Sequence, residues 1–269
     1  MGFVKPEQIW ERTVEAGVKK VHLPLRSQLA LGVLGGAYIS LGFLLYIRVS
    51  ATIPSPWSDF GGILGAAVFP LGLILTLLAG GELLTGNMMA VPSAFISRKI
   101  CLIDVAKNWL IITVGNMLGA LLIAYLFGHL VGMTEHGVYA DKLVKVVHAK
   151  IEEPFLIALL SGIGCNWLVG LAVWLSYGAD ESGGKIVGIW FPTMAFVAMG
   201  FQHVVANMFV IPAAIFAGKA TWIQFVENCV PVYIGNSLGG ALFVAGIYSL
   251  VYRRAADRQS KAAAVSYDK

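Results

Sequence analysis

Long apolar runs separated by short polar connections dominate the hydrophobic pattern of the chain. A helix needs about 20 mostly apolar residues to cross a hydrocarbon core of about 30 Å. Six runs meet this requirement, and they lie near residues 27–48, 61–92, 106–132, 154–178, 186–217 and 228–252. The pattern therefore predicts an all-α integral membrane protein with six transmembrane helices.

A shorter amphipathic stretch precedes the first span. Between Lys5 and Lys20, apolar residues recur with helical period opposite basic residues, which predicts a short amphipathic helix. The first apolar run starts too late and is too long to be a cleavable signal peptide, so we expect it to remain as a span. The chain then divides into an N-terminal segment at 1–26, a six-span domain at 27–252 and a tail at 253–269.

Basic residues are divided unevenly between the two sides of this six-span arrangement. Membrane proteins retain lysine and arginine on the cytoplasmic side. Most of the 19 lysine and arginine residues fall on the side that holds both termini. We therefore expect a multi-pass protein of the cell membrane, embedded in the lipid bilayer, with segment 1–26 and tail 253–269 both in the cytoplasm.

The composition excludes several other classes of protein. Hydrophobic residues make up 58% of the chain and charged residues 13%, whereas a soluble globular chain carries about 25% charge. The net charge of +4 is too small for a nucleic-acid-binding module. The 3 cysteines are an odd number without C-x-x-C spacing, so we expect free thiols and no disulfide framework.

The chain contains an internal repeat. Residues 80–88 align with residues 200–208, and the same offset aligns residues 115–119 with residues 235–239. One shift thus explains two separate matches, which indicates that three spans are duplicated. An odd number of spans per repeat gives the two halves opposite orientations. Inverted repeats of this kind are typical of transport folds, with the site near the midplane at the repeat interface.

The second and fifth runs are too long for one straight helix and carry helix breakers at related positions. The second run contains Pro70, Gly72 and the pair at 80–81, and the fifth contains Pro192 and Gly200. Broken helices expose backbone groups, which a membrane tolerates only where they are buried in protein or line a cavity. We interpret both breaks as pore lining. The alternative is that these glycines merely permit close helix packing.

Few polar side chains lie deep in the predicted spans. His203 sits at the break of the fifth run, where loss of water favours the neutral imidazole, which still donates one hydrogen bond and can lend a proton. Thr85 and Asn166 suit hydrogen bonding to a substrate or to the imidazole, or equally to a neighbouring helix. Lys150, on the outer side, would draw in anions or lie as an ordinary interfacial lysine. We interpret Glu82 as an acceptor for freed backbone N–H groups in preference to a pore carboxylate.

Motifs for other chemistries are missing from the sequence. It has no G-x-x-x-x-G-K-[ST] loop for ATP and no paired membrane histidines for haem or a metal. Serine and cysteine residues lack a partner base for nucleophilic catalysis. We therefore expect a protein that is not an enzyme and has no cofactor or metal.

Several separated motifs, in order, resemble the formate/nitrite transporter family. They are GELLTGN at 81–87, KNWL at 107–110 followed by Gly115 and Asn116, NWLV at 166–169 and GFQHVVANM at 200–208. The resemblance covers roughly residues 27–252. It implies an aquaporin-like channel protomer in a homopentamer with one pore per protomer, carrying small monovalent anions such as formate, nitrite and hydrosulfide.

The resemblance also assigns roles to matching residues. His203 looks like the family's central pore histidine, Thr85 and Asn166 like its hydrogen-bonding neighbours, and Lys150 like its vestibule lysine. Apolar constrictions would be formed on the outer side by Phe69 and Phe196, and on the inner side by Leu73, Leu83, Leu84 and Val169.

Two positions depart from the family pattern. Leu84 stands where many members have an aromatic residue, so the inner constriction would be wider or differently gated. Gln202 stands where the family often has glutamate, which removes a charge beside His203.

The resulting hypothesis is a channel for small monovalent anions, formate first, with proton-assisted passage. A bare charge crosses apolar rings only at a cost of several kcal/mol, and a proton removes most of that cost. His203, with Thr85 and Asn166, would stabilise the ion and favour its transient protonation, directly or through water. Nitrite and hydrosulfide are the alternative substrates. A non-transporting membrane anchor for a partner enzyme is the rival from another class, and polar groups at midplane argue against it.

Overall fold

A computed structural model of the protein describes residues 2–253, and the regular elements there are helices. The predicted tail lies outside the described residues except for Arg253. The α-helices are α1 (Pro6–His22), α2 (Leu25–Ser50), α3 (Ser58–Val68), α4 (Leu71–Ile74), α5 (Leu84–Ile96), α6 (Leu102–Ile123), α7 (Gly137–Ile151), α8 (Phe155–Gly178), α9 (Ser182–Ala198), α10 (Val204–Phe216) and α11 (Trp222–Leu238), with π-helical segments at Leu75–Gly80, Ala124–Leu130 and Gly239–Gly246 and a 3-10 turn at Ser55–Trp57.

The helices form six membrane crossings, two of which are broken. Within residues 2–253, five helical segments are long and apolar enough to span a bilayer, namely Leu25–Ser50, Asp59–Gly80, Leu102–Leu130, Phe155–Gly178 and Trp222–Arg253. The fifth predicted run is instead divided between α9 and α10, and the second run continues from Gly80 into α5. This confirms the all-α membrane fold with its second and fifth helices interrupted.

Both breaks lie at glycines with left-handed backbone. Gly80 has φ of 101° and Gly200 has φ of 75°, a conformation that a Cβ would strain. The two prolines differ in their effect. Pro192 lies inside α9 and does not interrupt it, contrary to the sequence prediction, whereas Pro70 lies between the end of α3 at Val68 and the start of α4 at Leu71. Gly72 lies within α4.

An asparagine from the following span holds the start of each half-helix. The backbone N–H of Leu84 donates to Asn116 Oδ1 and that of Val204 donates to Asn236 Oδ1, both at 2.9 Å. Asn116 Nδ2 in turn donates to the backbone oxygen of Glu82 at 2.8 Å. One freed N–H at the start of each half-helix is thus satisfied by an asparagine. Glu82 is an acceptor, but its carboxylate accepts from the side chains of Lys20 and Asn87 and not from the backbone N–H groups that we expected.

The first helix packs into the protein and does not stand apart from it. Its apolar face joins α5, α8 and the last crossing in a buried cluster of Ile9, Trp10, Val14, Met89, Val173, Trp174 and Val244. Tyr252, near the end of the last crossing, packs against the same cluster, and Arg12 forms an ion pair with Asp180 at 2.9 Å. Both ends of the described chain therefore lie on one face of the bundle, as an even number of crossings requires.

Candidate functional site

A path of three cavities runs past both helix breaks. The largest, the Lys150 cavity, has a volume of about 180 Å³ and is lined by Phe43, Tyr46, Phe69, Val146, Ala149, Lys150, Glu153, Phe196, Val197, Gly200, Phe201, His203 and Ala206. The Lys20 cavity, at the other end of the path, has about 10 Å³, room for about one water, and its walls include Lys20, Leu73, Thr76, Leu83, Asn87 and Tyr177.

An apolar constriction joins the two cavities. It is lined by Ile39, Phe69, Leu73, Leu83, Val169, Thr193, Phe196 and His203, and it leaves no room for a water molecule. The constriction shares Phe69, Phe196 and His203 with the Lys150 cavity and shares Leu73 and Leu83 with the Lys20 cavity. The path is thus closed by side chains at its middle.

The structure brings five of the six predicted constriction residues to this place. They are Phe69, Leu73, Leu83, Val169 and Phe196. Leu84 differs, because it is fully buried and lines none of the three cavities. As the first residue of α5 it turns into the helical packing, so the exchange of an aromatic residue for leucine there does not widen the constriction directly.

Aromatic rings stack along the closed part of the path. The ring centroids of Phe69 and Phe196 lie 5.7 Å apart in edge-to-face contact, and Phe196 stacks on the imidazole of His203 at the same 5.7 Å. Phe43 meets Phe69 edge-on at 5.7 Å from the other side. Edge-to-face contacts add to apolar burial and hold the rings in place. Sequence reasoning missed Phe43, since nothing distinguishes it from other apolar residues of the first span.

His203 bonds through both ring nitrogens. It is the N-cap of α10, and its Nδ1 accepts the backbone N–H of Ala206 at 3.0 Å. An accepting Nδ1 carries no proton, so Nε2 carries the hydrogen of the neutral imidazole and donates it to Thr85 Oγ1 at 2.8 Å. The Thr85 hydroxyl is then free to donate its own proton. While the cap is intact, the imidazole has no second proton to release.

Asn166 presents an acceptor beside this pair. Its Nδ2 donates to the backbone oxygens of Thr85 at 3.1 Å and Asn236 at 2.7 Å. Both amide hydrogens are therefore used. Its Oδ1 is buried and has no hydrogen-bond partner among the described residues. Buried polar atoms without partners are uncommon, and Asn87 Oδ1 and Asn207 Oδ1 are others in the described residues. Thr85 and Asn166 contact the His203 side of the path but line none of the three cavities.

Lys150 lies in the wall of the large cavity. Its Nζ donates to Gln202 Oε1 at 3.2 Å, and Gln202 Nε2 donates to Glu153 Oε2 at 3.0 Å. Burial lowers the pKa of Lys150 to about 8, and the nearby Glu153 carboxylate opposes this. The amine is thus a cation at neutral pH.

Lys20 is the equivalent residue at the other end of the path, and sequence reasoning missed it. Its Nζ forms an ion pair with Glu82 Oε1 at 2.8 Å, and Glu82 Oε2 accepts from Asn87 Nδ2 at 2.8 Å. Burial lowers the pKa of Lys20, but the Glu82 carboxylate more than offsets this, so the pKa is raised. One signal was available in the sequence. Lys20 stands before Pro24 at the same spacing as Lys150 before Pro154.

Comparison with known proteins places the chain among membrane transporters. The sequence model that describes the formate/nitrite transporter family matches residues 7–250 of this chain. Uncharacterized transporter YrhG of Bacillus subtilis (strain 168) is 58% identical over 261 residues, which cover 97% of this chain and 98% of that protein. Formate channel BtFdhC of Bacillus thuringiensis is 55% identical over 254 residues, which cover 94% and 98%.

A solved structure shares the fold. It is described as a pentameric formate channel with formate bound, and it superposes on 85% of this chain and 97% of its own with a TM-score of 0.73 and 27% sequence identity. The family match spans nearly the whole chain and agrees with the helix breaks and the path between them. The chain therefore belongs to the formate/nitrite transporter family.

Proposed function

We propose that this protein conducts formate across the cell membrane, through one pore in each protomer of a homopentamer. Two relatives support the substrate and the assembly, since one is named a formate channel and the other is described as a pentameric formate channel with formate bound. The observation that carries the proposal is the closed apolar constriction between a cavity lined by Lys150 and a cavity lined by Lys20.

The constriction favours a neutral permeant. Apolar side chains, one neutral imidazole and Thr193, whose hydroxyl donates to the backbone oxygen of Ile189, line it, so a bare carboxylate would lose its hydration with little in return. A weak acid avoids this cost by crossing with its proton. Formate therefore passes the constriction as formic acid and loses the proton again in water on the other side.

The proton joins the anion before the constriction. The Lys150 ammonium raises the local concentration of anions in the large cavity, where water supplies the proton to a carboxylate oxygen. His203 does not supply it, because its Nδ1 is engaged with Ala206 and its Nε2 hydrogen with Thr85. Of the two routes expected from the sequence, direct transfer from the imidazole or transfer through water, the proposal keeps the second and gives His203 a positioning role.

Thr85 and Asn166 suit the neutral acid. The Thr85 hydroxyl has a proton to donate, which fits the carbonyl oxygen of formic acid. Asn166 Oδ1 lacks a donor, which fits the acid O–H. One donor and one acceptor on neighbouring side chains complement a protonated carboxyl group better than they complement a carboxylate, which only accepts.

The orientation follows from the two faces of the molecule. Both ends of the described chain pack together on the face of the Lys20 cavity. With most basic residues on the side of the termini, this face lies in the cytoplasm and the Lys150 cavity opens outside.

Flux in proteoliposomes tests the proposal. The purified protein is reconstituted, and uptake of formate, nitrite, hydrosulfide and lactate is compared at an acidic and a neutral pH with protein-free vesicles, which report leakage of each weak acid. We expect saturable formate flux that rises at the acidic pH. Flux of nitrite or hydrosulfide without formate would reassign the substrate, and flux of none of them would contradict the channel.

A further inference from the structure

The two repeats hold equivalent lysines but give them different partners. Lys20 pairs with the carboxylate of Glu82 at 2.8 Å, whereas Lys150 donates to the neutral amide oxygen of Gln202 at 3.2 Å. Among residues 2–253, the ion pairs made by lysine or arginine are those of Lys20 and of Arg12, and Lys150 takes part in neither. The Lys150 cation is thus hydrogen-bonded but lacks a carboxylate at ion-pair distance.

Nearby Glu153 does not remove this charge. It lines the same cavity, but its Oε2 accepts from the Gln202 amide at 3.0 Å. The amide therefore stands between the carboxylate and the ammonium and bonds to both. A second anion in the cavity would find the Lys150 amine available, since an ammonium has three donors and one is directed to Gln202.

The cavity is much larger than formate. Its volume is about 180 Å³, whereas a cavity whose volume is about 10–15 Å³ on the same measure holds one water. Rings of Phe43, Phe69 and Phe201 line it, and Phe69 also belongs to the constriction that leaves no room for water. The site thus combines one cation, the Glu153 carboxylate held by the Gln202 amide, an aromatic wall and a closed inner end.

We propose that the Lys150 cavity binds aromatic monocarboxylates, of which benzoate is the simplest, and that these acids block the pore. The carboxylate lies on the Lys150 amine and the ring packs against Phe43, Phe69 and Phe201. The edge and faces of the benzoate ring can form edge-to-face and offset-stacked contacts with these aromatic side chains. The bound acid stops there, because a six-membered ring cannot follow formate between Phe69 and Phe196. The block rests on the proposed function, because it requires the cavity to lie on the permeation path. Binding of the acid does not depend on the proposed function.

Equilibrium binding tests the site without any transport. Radiolabelled benzoate is dialysed against the purified full-length protein in detergent, with neutral benzamide of the same shape as the control ligand. We expect saturable binding of benzoate, displacement by excess formate and at least tenfold weaker binding of benzamide. No saturable binding, or equal binding of benzamide, would overturn the proposal.

Matched variants locate the ligand. Lys150→Gln should weaken benzoate binding at least tenfold, while Lys219→Gln, which changes charge equally at an exposed residue outside the three cavities, should leave it unchanged. Gln202→Glu should weaken binding as well, because it gives Lys150 the counter-charge that Lys20 has. Phe43→Ala should weaken the binding of benzoate more than it weakens the binding of formate, which is measured by the displacement of benzoate. Wild-type binding in the folded Lys150 variant would refute the site.

A flux measurement separates the block from the channel itself. Benzoate added on the side of the Lys150 cavity should slow formate flux in proteoliposomes at equal pH on both sides, without entering faster than into protein-free vesicles. Formate flux that benzoate leaves unchanged would refute the block alone. Benzoate binding in a protein that carries no formate would refute the proposed function alone.

Discussion

The Nε2 atom of His203 lies 2.8 Å from the hydroxyl oxygen of Thr85, and this bond joins the starts of the two half-helices across the repeat interface. His203 ends the second break as the N-cap of α10, and Thr85 lies in the first turn of α5. Both side chains are almost fully buried, with exposures of 2% and 0%. The pair therefore fixes one donor direction at a buried position.

Thr85→Val should slow formate flux roughly ten- to a hundredfold. Valine keeps the shape but removes the hydroxyl that donates to the carbonyl oxygen of formic acid in the proposed function, and the loss of such a buried hydrogen bond raises the barrier by about 1–3 kcal/mol. Initial rates of formate uptake in proteoliposomes would measure the change in flux. Thr85→Ser keeps the hydroxyl and should stay near the wild-type rate, and equal rates for the valine variant would show that the hydroxyl does not matter.

His203→Asn should keep flux that rises at acidic pH. Asparagine is a good N-cap and still offers an amide donor, and the proton that assists passage comes from water rather than from the imidazole. His203→Phe loses both cap and donor and should lose flux. The pH profile of initial rates distinguishes them. A folded asparagine variant with a flat profile would instead assign the proton to His203.

The apparent affinity for formate should fall as the pH rises through about 8. Burial lowers the pKa of Lys150 to about 8, so the amine is cationic below that pH and neutral above it, where it no longer attracts the anion. Arginine stays charged, so Lys150→Arg should lack this fall. Formate displacement of a bound probe across the pH range gives the affinity. An identical fall in the arginine variant would exclude Lys150 as its cause.

Phe69→Ala and Phe196→Ala should each admit larger anions such as lactate. Each change removes one half of the edge-to-face pair that closes the path. The ratio of lactate to formate flux measures the loss of discrimination. Phe191→Ala is the matched control, since that ring is 62% exposed on the outside of the bundle. An unchanged ratio in both pore variants would contradict their role as the constriction.

Glu82→Gln should destabilise the protein by about 3–5 kcal/mol, because it leaves the buried Lys20 ammonium without its carboxylate. A double change with Lys20→Met removes the charge as well and should restore part of the loss. The denaturation midpoint of detergent-purified protein measures both. A double variant less stable than Glu82→Gln alone would show that the ammonium does not depend on its counter-charge.

The sequence predicts the architecture well because apolar length and repeated motifs are strong signals. Six crossings follow from run length alone, and both breaks follow from the aligned segments at 80–88 and 200–208. The exact positions of the breaks were harder to predict, since both proline and glycine can interrupt a helix. The structure resolves this through backbone angle, with Gly80 and Gly200 in left-handed conformation and Pro192 inside a helix.

Candidate site residues stand out in the sequence where the chemistry of a single residue is unusual for a membrane. His203, Thr85, Asn166 and Lys150 are polar groups in or beside apolar runs, so they stand out. The missed features depend on pairing between distant residues. No local pattern shows that Lys20 reaches a carboxylate 62 residues away.

The asparagine bonds at the half-helix starts have a consequence for how the protein is made. Leu84 is held by Asn116 and Val204 by Asn236, so each half supplies its own bond. The first half can therefore satisfy the backbone of its broken helix in the bilayer before the second half leaves the ribosome. We expect a chain truncated after the third crossing to insert stably, and the second half to add the contacts across the interface, among them the His203 bond to Thr85 and the Asn166 bond to the Thr85 backbone oxygen.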